Sequence, residues 1–171
     1  MEGLETDHKR IETLSQKNSA ANQAFANYLK TLDPEMVEER IKHVAAEVTA
    51  AVDCTACAKC CRALIIAPDY ADVSLLASSQ CTSKGDPMTT SEFKKKYMRV
   101  DYEGDLVFKQ RPCPFLKNSR CSVYEVRPKL CRKYPYLDQG NVLKDLNRVL
   151  RNVSVCPIVF NTFERLKDEF I

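Results

Sequence analysis

Four cysteines fall within eight residues, Cys54-Thr55-Ala56-Cys57-Ala58-Lys59-Cys60-Cys61, and no other feature restricts the folding of this chain so tightly. A C-x-x-C turn lets two thiolates converge on one metal, so the repeated spacing brings Cys54, Cys57 and Cys60 around one centre without long-range folding. Side chains of adjacent residues diverge, which makes Cys61 the natural ligand of a second centre or a later-added ligand of the first. Downstream stand Cys113-Pro114-Phe115-Leu116, Cys121, Cys131-Arg132 and Cys156-Pro157. With the first group these make eight cysteines, enough for two four-thiolate sites. Proline directly after a ligand, as at Cys113 and Cys156, fixes the turn leaving the site in ferredoxin-like loops. The ninth cysteine, Cys81, has no cysteine neighbour and reads as a free thiol.

What the sulfur is for depends on the compartment. The start, Met1 to Asp7, lacks the basic and apolar run of a secretory signal, and the longest apolar stretch, Ala63 to Pro68, is far short of the ~20 residues of a membrane span. The chain therefore reads as soluble and cytoplasmic, with no membrane partner. In a reducing compartment a dense cysteine set points to a metal site rather than a disulfide framework. Other chemistries lack raw material. The 4 Gly are too scattered for a G-x-G-x-x-G turn or a P-loop. The 2 His, His8 and His43, lie in polar, helix-like stretches that offer little to H-E-x-x-H, Cys-His or Ser-His catalysis, and no catalytic residue is assigned.

The periodicity predicts a mainly α fold: an N-terminal helical hairpin packed on an irregular cysteine-rich metal-binding core, with a small β-hairpin and a C-terminal helix. Leu4, Ile11, Leu14, Ala21, Phe25, Tyr28 and Leu32 form the stripe of a first helix. Asp33-Pro34-Glu35 starts a second, whose stripe is Val37, Ile41, Val44, Val48 and Val52. Neither buries its stripe alone, so the pair packs on the cysteine-bearing part or on a partner protein. Residues 1–52 are read as this hairpin, part of the same compact unit as the cysteine-cluster domain at 53–171. Within that domain, helices open at Pro68-Asp69-Tyr70 and at Thr89-Thr90-Ser91-Glu92, and a hairpin turns at Glu103-Gly104. Arg111 to Pro135 has no clean period and is expected to be short turns held by something other than a hydrophobic core. Ile158, Phe160, Phe163, Leu166 and Phe170 mark the closing helix.

Cys54-x-x-Cys57-x-x-Cys60-Cys61, then Cys113-Pro114-Phe115-Leu116, Cys121, Tyr124-Glu125-x-Arg127-Pro128 and Cys131-Arg132-x-Tyr134-Pro135, resemble the YkgJ-type cysteine-cluster proteins. That family is described as zinc- or iron-chelating and is named for its C-x-x-C-x-x-C-C motif. The resemblance covers Asp53 to Pro157 and implies a metal-binding domain. Flagellin lysine N-methylases resemble the same family, with an iron-sulfur cluster implied there; this chain is short and shows no glycine-rich S-adenosylmethionine loop.

Between Lys109 and Lys133 stand eight bases and one acid, Glu125, although the formal net charge of the chain is only +3. Cysteine ligands bind as thiolates, so two four-thiolate zinc sites lower that charge to about -1 and a single 4Fe-4S centre lowers it to about +1. The bases thus read as counter-charges and N–H donors to the sulfurs rather than as a nucleic-acid surface. The expected function is a cytosolic metal-binding protein serving redox, sensing or metal handling. The alternatives are an enzyme such as a protein methyltransferase related to flagellin lysine N-methylase, and a zinc-stapled interaction module whose N-terminal helices dock a protein. Three ligands from one short loop match the faces of a cubane, which favours iron or an iron-sulfur cluster; zinc is the close alternative.

Overall fold

Caps set where the helices begin. The computed structural model describes residues 3–170, and its helices are α1 (His8–Lys17), α2 (Ser19–Leu29), α3 (Pro34–Ala51), α4 (Cys54–Cys57), α5 (Lys59–Ala63), α6 (Tyr70–Ser78), α7 (Thr90–Tyr97), α8 (Lys129–Lys133), α9 (Leu146–Val153) and α10 (Pro157–Phe170). The strands are β1 (Met98–Val100), β2 (Leu106–Phe108), β3 (Leu116–Lys117) and β4 (Arg120–Cys121). Thr55–Tyr134 forms one compact unit; the segments before and after it form the other.

In the terminal unit, Asp7 and Asp33 accept hydrogen bonds from the N–H groups of Arg10 and Met36 and so open α1 and α3. The single first helix expected from Leu4 to Leu32 is instead two. It starts only after its Asp7 cap and breaks at Asn18, whose φ of -95° and ψ of 12° leave the helical region. Tyr28, expected on the buried stripe, is exposed. Ala21 of that stripe is also exposed, and Leu4, Leu14, Leu32 and Val52 are only half-buried; Ile11, Phe25, Val37, Ile41, Val44 and Val48 are buried as expected, joined by Leu29 from outside the expected stripe. The partner of α3 is α10, which buries Ile158, Phe163 and Leu166. Phe25 and Phe163 meet edge to face at 5.1 Å. Arg40 grips Glu169 through two hydrogen bonds, one of 2.6 Å. Asn161, buried on α10, ties the leading segment down by accepting from the Glu5 N–H at 2.9 Å and donating to the Glu5 carbonyl at 2.8 Å.

In the Thr55–Tyr134 unit, capping boxes open both longer helices: Asp69 with Asp72 for α6, and Thr89 with Glu92 for α7. β1 and β2 pair antiparallel, Met98 opposite Phe108, around a loop containing Gly104 at φ 89°. Asp101 accepts from the Glu103 and Asp105 N–H groups in that loop, which accounts for the acids gathered there. The unit has a hydrophobic core of Val73, Leu76, Ala77, Phe93, Met98, Phe108, Phe115 and Val123. This corrects the expectation for Arg111 to Pro135, because Phe115 and Val123 anchor that segment in the core. Phe115 stacks on Phe93 at 5.9 Å and meets Phe108 edge to face at 5.5 Å.

Candidate metal centre

The first cysteine run folds as two helical turns. Cys54–Cys57 makes α4, Ala58 takes a left-handed φ of 53°, and Lys59–Ala63 restarts as α5. A left-handed alanine costs about 1 kcal/mol, so the break is held by its surroundings; Ala58 is buried. From α5 the chain is joined to the next cysteine by backbone: the Cys113 N–H donates to the Cys61 carbonyl at 2.8 Å. Phe115, two residues on, fastens this loop in the aromatic core, and Cys113 and Cys121 pack against the same core.

Cys121 ends a two-stranded hairpin. Leu116 pairs with Cys121 and Lys117 with Arg120, leaving Asn118 and Ser119 as the loop, at φ 50° and 61°. Two consecutive left-handed residues match the right-handed strand twist, as in a type I′ turn. Arg62 of α5 donates to the Ser119 hydroxyl at 2.7 Å. The Ser122 N–H and hydroxyl both donate to the Phe115 carbonyl, at 2.8 and 3.0 Å. Cys131 stands on α8, whose first N–H, that of Lys129, reaches both carboxylate oxygens of buried Asp72 at 3.2 Å.

Electrostatics place the sulfurs in one another's field. Burial, then the neighbouring Cys61 and Cys121 thiolates, push the Cys113 thiol up to about 11. Burial, then Cys113, Cys61 and Cys121, push Cys131 up to about 12. Burial also raises Cys121, with Cys61 adding to it and Arg127 opposing. Cys61 runs the other way, to about 7, because the Cys60 thiol hydrogen-bonds it and Arg62 lies near. Cys61, Cys113, Cys121 and Cys131 are half-buried thiols rather than halves of disulfides. Partly buried thiols that feel one another's charge repel on ionising, and a cation among them removes that cost. An all-sulfur donor set of this kind fits zinc or iron.

Of the eight cysteines singled out in the sequence, Cys57, Cys60, Cys61, Cys113, Cys121 and Cys131 thus belong to the Thr55–Tyr134 unit. Cys54 and Cys156 belong to the terminal unit, Cys156 buried and donating its N–H to the Asn152 carbonyl. Cys81 is exposed in the loop after α6. The basic residues are less devoted to sulfur than expected. Arg127 faces Cys121 and Cys131 and stacks on Tyr124 at 3.7 Å. Lys129 pairs with Asp69 at 2.8 Å, while Arg111 and Arg132 donate to the carbonyls of Ala63 and Arg127. Two contributors escape sequence reading. Asp72 looks like one half of a helix cap, and its second role, on α8, is a contact 57 residues distant. The Asn118-Ser119 turn carried a signal, asparagine between two strand-compatible pairs.

Among the described residues no helix is long and apolar enough to cross a membrane. Neither the curated proteins nor the solved structures contain a match to the chain. One family model does match, over residues 53–157 and thus every cysteine discussed as a ligand: the chain belongs to the CxxCxxCC family, whose description reads "Putative zinc- or iron-chelating domain".

Proposed function

We propose that this chain is a cytoplasmic metal-binding protein whose Thr55–Tyr134 unit holds iron, as an iron-sulfur cluster, through Cys61, Cys113, Cys121 and Cys131, with zinc the second choice. The observation that supports the reading is electrostatic: Cys113, Cys121 and Cys131, from the Cys113 loop, β4 and α8, are each pushed up by burial and then by the charge of Cys61 on α5. Cys54, Cys57, Cys60 and Cys156 are the remaining candidate ligands. Their local geometry supports this for the first pair, since Cys54 and Cys57 are three residues apart on one helical turn.

When bound, the metal supplies either a structural tetrahedral anchor or, as iron, electron transfer for redox or sensing. The chain's own residues supply the sulfurs, a flanking Arg127 cation and a partly water-shielded setting, three levers that tune a metal's potential. The reading does not call on the N-terminal helices for a partner, because α10 covers the stripe of α3. Anaerobic purification followed by elemental analysis and an absorption spectrum tests it. A brown protein carrying iron and sulfide supports the cluster. Colourless protein with about two zinc per chain replaces iron by zinc. Protein that takes up neither metal, and whose fold ignores chelator, overturns the proposal.

A further inference from the structure

Cys131 is presented by a helix that cannot cap itself. α8 runs only from Lys129 to Lys133, its N-cap is Pro128, and no side chain of its own accepts at the cap. The N–H of Lys129 therefore has no acceptor in its own segment. The acceptor comes from α6: both carboxylate oxygens of Asp72 lie 3.2 Å from the Lys129 nitrogen. Asp72 is 3% exposed, so this N–H is satisfied away from water. The same carboxylate accepts from the Asp69 N–H at 3.3 Å, and the Asp69 side chain returns a bond from the Asp72 N–H at 2.7 Å. Asp72 is thus locked to the first turn of α6 before it reaches α8.

We propose that Asp72 is a positioning residue for the metal centre: by fixing the Lys129 N–H it sets the rotation of α8 and hence the direction in which Cys131 points. The inference rests on the metal-binding reading above. A helix advances about 100° per residue, so a slip of one position at Lys129 rotates the Cys131 side chain by that angle relative to Cys61, Cys113 and Cys121, whose charges reach it. Cys131 moves with the start of the helix, since the N–H groups of Cys131 and Arg132 both donate to the Pro128 carbonyl, at 2.9 and 3.1 Å. The ion pair of Lys129 Nζ with Asp69 is exposed and cannot fix that start alone.

The test is metal retention by the full-length chain against a competing chelator, after loading with Zn2+ or, anaerobically, with Fe2+ and sulfide. Asp72→Ala is expected to lose metal about 10- to 100-fold more readily, as for other residues that orient ligands from behind. Asp72→Asn, whose carbonyl oxygen still accepts from Lys129, should recover most of the loss, and it serves where the alanine variant does not fold. Asp69→Asn, which removes only the exposed ion pair's charge, should retain metal like the parent. In a Cys131→Ser background Asp72→Ala should change retention no further. Losses that simply add in the double variant, or an Asp72→Asn as defective as Asp72→Ala, overturn the positioning role while leaving the metal centre intact. A parent chain that takes up neither probe overturns the metal centre and this role with it.

Discussion

Loading the centre must expel protons, and the number follows from the thiols. The four thiols proposed as ligands differ in the metal-free chain: Cys113 is pushed up to about 11, Cys131 to about 12, Cys121 is raised above its ordinary 9.0, and Cys61 is brought down to about 7. At about pH 7.5 the first three keep their protons and Cys61 is partly ionised. A divalent cation seated on all four therefore displaces between about three and four protons, more at about pH 6 than at about pH 7.5. Affinity accordingly rises with pH, by roughly a thousandfold per unit around neutrality. Calorimetric titration of Zn2+ into the anaerobic, metal-free chain, repeated in buffers of different ionisation enthalpy, reads the proton count directly. Cys131→Ser should reduce it by about one. A release of two protons or fewer, or one that Cys131→Ser leaves unchanged, refutes the four-thiol assignment.

Cys113 and Cys131 make the metal-free fold alkali-sensitive. Their folded values lie above the ordinary one, so the stability they allow is fully present below about pH 9 and drains away as pH rises through about 11 to about 12; urea midpoints measured at increasing pH check the direction. Phe115→Ala, at the centre of the aromatic core, should cost about 3–5 kcal/mol in urea unfolding and weaken metal retention, since Cys113 and Cys121 pack on the same core. Asn161→Ala leaves the Glu5 backbone groups unpaired and should lower stability by about 1–3 kcal/mol, seen as a lower urea midpoint, without loss of metal held by Cys61, Cys113, Cys121 and Cys131, which lie in the other unit. Asn118→Val forces a β-branched residue into a left-handed turn and should cost about 1–2 kcal/mol, seen as a lower thermal midpoint.

Reading the chain alone reached a good deal of this. Asp33-Pro34, Thr89 with Glu92, and the stripe from Ile158 to Leu166 announced α3, α7 and α10, and the C-x-x-C-x-x-C-C run announced the family. These are local signals: a cap, a proline at the first helical position and an amphipathic period all depend on residues within a turn or two of one another. What spacing could not decide was which sulfurs feel one another's charge. The Cys61 carbonyl takes the Cys113 N–H across 52 residues, and the Cys61 charge is felt by Cys113, Cys121 and Cys131. Nor could it assign the carboxylate that holds α8, or foresee that the cysteine-rich segment shares a core with Phe93 and Phe108. Those outcomes belong to tertiary structure because each is a contact between segments tens of residues apart, made only when burial of the apolar core has offset the entropy of closing the loops between them.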